Sequence, residues 1–77
     1  MSNSAKLDKA ILAGVSEHWT KVAMVLARAA DELGPAADYD ELGRRIIVLA
    51  KSGALESQGD LANWRHSEVR KPGGDDA

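Results

Sequence analysis

Cysteine is absent, so neither disulfides nor thiolate metal sites can brace this chain. Phenylalanine is absent as well, and the aromatic residues are limited to Trp19, Tyr39 and Trp64. No apolar run approaches the roughly 20 residues that a membrane-spanning helix needs. The opening MSNSAKLDK has neither the basic nor the apolar region of a secretory leader. These absences predict a cytoplasmic protein with no membrane association. They also leave Ala, Leu, Val and Ile to supply the burial, at about 1.5–3 kcal/mol for each large side chain fully removed from water. In 77 residues that supports one core and one domain. Association with a second copy or with another protein would add to it.

An excess of positive charge is missing too. The formal net charge is -2, and Asp75 and Asp76 in the tail account for it, because Met1 to Pro72 holds ten basic and ten acidic residues. A domain that holds nucleic acid by neutralising phosphates usually carries a basic balance, so composition disfavours that role. Catalytic signatures are equally scarce. His66 and Ser67 are neighbours on an expected strand, where successive side chains diverge. His18 has no second ligand three or four residues away, as a helical zinc site requires. Gly73 and Gly74 are the only adjacent glycines, and no phosphate loop or dinucleotide fingerprint is present. The sequence therefore predicts no catalytic residue, no cofactor and no metal, and a non-enzymatic protein.

What is present is helical periodicity followed by a hairpin pattern. After a flexible start over residues 1–4, Ser4 is placed to cap a short helix from Ala5 to about Ala13, with Leu7, Ala10 and Ile11 on one face and Gly14 as its stop. Ser16 is the next cap candidate. From there Trp19, Val22, Val25, Leu26, Ala29, Ala30 and Leu33 recur at offsets of three and four, which predicts a long core helix ended by Gly34 and Pro35. Asp38, with Glu41 three residues on, predicts the capped start of a third helix. Its buried stripe is expected to be Tyr39, Leu42, Ile46, Leu49 and Ala50, and Gly53 its stop. Ile47 falls on the charged side of this helix, and Met24 is a second apolar residue expected at the surface.

Residues 53–72, GALESQGDLANWRHSEVRKP, then read as two short strands joined by a loop. The two-residue strand period turns Leu55, Ser67 and Val69 inward and Glu56, Glu68 and Arg70 outward. Glu56 is expected to face Arg70 or Lys71 across the strands. Gly59 and Asp60 make the turn, the glycine through positive φ and the carboxylate through nearby backbone N–H groups or Arg65. Leu61 and Trp64 fold the loop back onto the third helix. The fold expected is mostly α (α+β), three helices followed by a C-terminal β-hairpin, winged-helix-like. One domain is expected over residues 5–72, with an acidic disordered tail over 73–77.

The segment RRIIVLAKSGALE followed by QGDLANWRHSEVRKP resembles DUF3658, a bacterial domain of unknown function often found at the C-terminal end of larger proteins. The matching residues are Arg45, Ile46, Leu49, Gly53, Leu55, Glu56, Gly59, Asp60, Leu61, Ser67, Glu68, Val69 and Arg70. HWTKVAMVLARAAD is similar to the helix that precedes this motif in the family, so the resemblance spans about Ile11 to Pro72. It implies a winged-helix-like fold and no assigned chemistry. A DNA-reading domain of that kind has two helices joined by a tight turn, whereas residues 39–52 have room for one helix.

Two roles follow as expectations. The first is a protein–protein interaction or self-associating module. The alternative is nucleic-acid binding through the third helix and hairpin, with Arg44, Arg45, Lys51, Arg65 and Arg70 as contacts and Trp64 as a stacking residue. In the first role Gly59, Asp60, Leu61, Trp64 and Glu68 are structural parts of the hairpin.

Overall fold

Three helices and three strands make up the computed structural model, which describes residues 3–73. They are α1 (Asn3–Ala13), β1 (Thr20–Lys21), α2 (Val22–Leu33), α3 (Tyr39–Ser52), β2 (Glu56–Gly59) and β3 (Ser67–Arg70), with one 3₁₀ turn at Trp64–His66. The fold is α+β, the helices packing with a small antiparallel sheet of strand order β1-β3-β2. Met1, Ser2 and Gly74 to Ala77, parts of the expected flexible start and acidic tail, lie outside the described residues.

Helices α1 and α3 form where the periodicity places them. Leu7, Ala10 and Ile11 of α1 meet Val22, Val25, Leu26 and Ala29 of α2 and Leu42, Ile46 and Leu49 of α3 in one buried cluster, which Val15, Leu55 and Val69 close. Helix α1 starts at Asn3, ahead of the expected cap Ser4, and ends at the Gly14 turn. Asp38 caps α3 as expected. Its Oδ1 accepts from the N–H groups of Asp40 at 2.9 Å and Glu41 at 3.4 Å. Gly53 ends that helix in the left-handed conformation, φ 89°.

Two expectations are corrected. The long helix does not begin near Ser16 and does not contain Trp19; it begins at Val22, and the residues before it are extended. Thr20 pairs with Val69 and Lys21 with Glu68, so the two-stranded hairpin becomes a three-stranded sheet. The physical reason is the free edge of β3, whose backbone groups must find partners. An aromatic and a β-branched residue, Trp19 and Thr20, suit that extended segment better than a first helical turn. Ser16 serves this turn instead: its Oγ accepts from the His18 N–H at 3.1 Å, and its carbonyl accepts from the Lys71 N–H at 2.8 Å. Tyr39 is the second correction. It is 44% exposed, because at the first position of α3 it points past the core edge, toward the flank of Trp64.

The hairpin register is the expected one. Glu56 pairs with Arg70, Ser57 with Val69, Gln58 with Glu68 and Gly59 with Ser67. Leu55, Ser67 and Val69 are buried, and the Ser67 hydroxyl donates to the Asn63 carbonyl at 2.9 Å, so its burial leaves no unmet donor. Gly59 has φ +81°, and a Cβ there would lie 2.3 Å from the His66 carbonyl oxygen. Both the backbone conformation and the space exclude a side chain. Among the described residues no helix is long and apolar enough to cross a membrane.

Gly59→Ala is expected to lower stability by about 2 kcal/mol or more, read as a shift of the urea unfolding midpoint. An unchanged midpoint would mean that the turn can be made another way.

Candidate interaction surface

Helix α3 carries both charged and aliphatic residues on its exposed side. One side, Leu42, Gly43, Ile46 and Leu49, is buried. Opposite runs a stripe of Asp40, Arg44, Val48 and Lys51, all exposed, with Ile47 half-buried beside them. Val48 is 44% exposed, as large an apolar exposure as any on this helix. Its sequence signal was present but weak, since it occupies a position that the three-and-four spacing assigns to solvent.

Of the five basic residues expected as nucleic-acid contacts, Arg45 and Arg70 are held in ion pairs. Arg44 and Lys51 lie on the outward stripe, with no ion pair among the described residues. Arg45 points to α1, where its Nε and Nη2 donate to Asp8 Oδ1 and Oδ2, each at 2.9 Å. Hydrogen bonding to that carboxylate raises the guanidinium pKa further, and only partial desolvation opposes it. Arg70 is on the central strand, β3. Its Nε donates to Glu56 Oε1 at 2.6 Å, and its guanidinium lies 4.4 Å from the centre of the Trp19 ring. Arg65 is exposed on the 3₁₀ turn and lines a shallow depression with Asp40, Asp60, Asn63 and Trp64, so carboxylates interrupt the positive charge there. Lys21 reaches across from β1 to the Arg65 carbonyl at 3.4 Å.

No protein-family model, curated protein or solved structure matches the chain. What the surface can do is therefore argued from its own chemistry. His18 and His66 are both exposed, while Ser67 is buried with its hydroxyl on the Asn63 carbonyl. Among the described residues no group of three His, Cys, Asp or Glu side chains is placed to hold a metal ion.

The hairpin residues act on one another and on α3. Asp60 Oδ1 accepts from the Ala62 N–H at 3.0 Å, and its carbonyl from the Asn63 N–H at 2.8 Å, which is the backbone form of the expected turn. Leu61 packs against the core. Glu68 accepts a hydrogen bond from the Gln58 amide across the strands. Trp64 is half-buried and rests on α3: its ring centre is 6.4 Å from that of Tyr39, tilted by 42°. A Cβ at Gly43 would come within 2.9 Å of the Trp64 ring. This close seat explains a glycine in the middle of a helix, a position where glycine otherwise costs about 1 kcal/mol against alanine. The signal was legible, as an isolated glycine inside a helical pattern, though what it accommodates was not.

Gly43→Ala should therefore destabilise the domain, by about 1 kcal/mol, although the same change in an open helix stabilises by a similar amount. Trp64→Ala should cost about 2–3 kcal/mol, below the range for a fully buried tryptophan because this ring is half-exposed. In a double-mutant cycle read by urea unfolding, the penalty of Gly43→Ala should vanish or reverse once Trp64 is alanine. Additive effects would show that the two residues do not meet.

Proposed function

We propose that the chain is a non-enzymatic protein–protein interaction module with a winged-helix-like fold, and that the outward stripe of α3 is its contact surface. The observation that carries this reading is Val48, exposed in mid-helix between Arg44 and Lys51 with Ile47 beside it. α3 is already held to the core through Leu42, Ile46 and Leu49. An exposed valine adds little to that packing and has a lower helix propensity than the straight-chain polar residues that would serve in its place. With the half-buried Ile47 it gives the stripe apolar surface for a partner to cover. The winged-helix-like reading is supported by the element order helix, strand, helix, helix, strand, strand, and by the sheet order β1-β3-β2. The residues shared with DUF3658 point the same way, and membership of that family is part of the proposal. The absence of cysteine fits a reducing, cytoplasmic setting.

One observation favours the second reading, nucleic-acid binding. Helices α2 and α3 are consecutive and joined by the short connection at residues 34–38, so the helix pair sought within residues 39–52 is made by the long helix and the third. Arg44 and Lys51 would then stand on the second helix, which in a helix-turn-helix lies in the major groove. Against it weigh the Asp8–Arg45 and Glu56–Arg70 ion pairs and the carboxylates of Asp40 and Asp60.

Fluorescence anisotropy with labelled duplex and single-stranded DNA at low salt separates the two. No binding is expected below about 10⁻⁴ M, the weak end of non-specific association. Tighter binding that falls steeply with salt and is lost in Arg44→Ala and Lys51→Ala would overturn the protein-contact reading. A second measurement addresses Val48 directly. Val48→Gln should leave stability within about 0.5 kcal/mol of the parent, and a larger loss would make Val48 part of the folding core.

A further inference from the structure

The stripe on α3 is self-complementary, and this names its partner. Asp40 stands at the start of the helix and Lys51 at its end, with Arg44, Ile47 and Val48 between. At 3.6 residues per turn, Asp40, Arg44, Ile47 and Lys51 fall within about 60° of one another around the helix, with Val48 along one edge. The acid and the lysine are therefore displayed in the same direction, three turns apart and of opposite sign. Neither has an ion-pair partner among the described residues. Asp38, the neighbouring acid, is occupied differently, its carboxylate accepting the N–H groups of the first turn.

Resting on the reading of α3 as a protein-contact surface, we infer that its partner is a second copy of this chain, packed antiparallel through α3 about a two-fold axis. A parallel pair would set Asp40 on Asp40 and Lys51 on Lys51. In an antiparallel pair with the axis between residues 45 and 46, Asp40 of each copy comes level with Lys51 of the other, and the contact is isologous. Arg44 comes level with Ile47 of the second copy, over which its aliphatic stem can lie. Its guanidinium then extends toward water, one turn from Asp40 of its own helix. The two Val48 side chains fall on the same edge, roughly 7–8 Å apart along the helix axis at 1.5 Å per residue. That is close enough for both to be covered by one contact. The helix dipoles oppose each other, and an interaxial distance of about 8–10 Å accommodates side chains of this size. The Asp8–Arg45 pair lies on another side of α3, while Trp64, seated at Gly43, and Arg65 border the stripe only at its Asp40 end.

Sedimentation velocity on the full chain across micromolar concentrations tests this. A reversible monomer–dimer equilibrium is expected. Asp40→Lys and Lys51→Asp should each weaken dimerisation by roughly tenfold or more, since each places like charges together at two symmetric points. The double charge swap should restore it. Asp40 in the first turn and Lys51 in the last both suit the helix dipole, so the double variant has the least favourable α3 of the set. Recovered association in it cannot reflect a better-folded helix. Val48→Gln should weaken the dimer without unfolding the chain, as checked by circular dichroism. A parent protein that stays monomeric overturns this partner and leaves the α3 face for a different protein. A dimer indifferent to either single reversal, or a double swap no better than the singles, overturns the antiparallel geometry. Salt-sensitive duplex binding through Arg44 and Lys51 is a separate outcome that removes the protein-contact reading itself.

Discussion

Val69 lies opposite Thr20 on one side and Ser57 on the other, with no exposed surface of its own. That double pairing places β3 at the centre of the sheet and turns Val69 and Ser67 onto the helices. A core with no aromatic ring fully inside it has little reach, so each element must come close to the others. β3 closes one side of the helical cluster because β1 and β2 hold it in register from both edges. The Ser67 hydroxyl, bonded to the Asn63 carbonyl, keeps the polar member of that strand from working against burial.

Legibility in the sequence followed the range of the interactions. α3 was readable because its determinants are local: an aspartate cap, a three-and-four stripe, a glycine at the left-handed stop. The hairpin register was readable because a strand pair joined by one loop has few alternatives once the inward residues are chosen. Trp64 could be placed on α3 for similar reasons. β1 was not readable. Thr20 and Lys21 become a strand through Val69 and Glu68, far away in sequence, and a pattern continuous with α2 gives no local reason to stop the helix at Val22. Tyr39 was misjudged in the same way, its environment depending on a ring that arrives from a later loop.

The charges show why a residue list is a poor guide to a binding surface. Ten basic and ten acidic residues up to Pro72 allow either a mixed surface or two segregated ones. The structure takes Arg45 to α1 and Arg70 to β2 and Trp19, and it sets Arg65 among carboxylates. What remains outward on α3 is sparse charge with aliphatic surface between.

Lys21 ends β1 and is also the residue before the first turn of α2, with no linker and no side-chain cap between strand and helix. A sheet attached through a loop can peel away while its helices stay packed. Here the strand cannot leave β3 without dragging the start of α2, and with it Val22, out of the buried cluster. Sheet and helices are thus one mechanical unit, and partial opening is suppressed in favour of all-or-none unfolding.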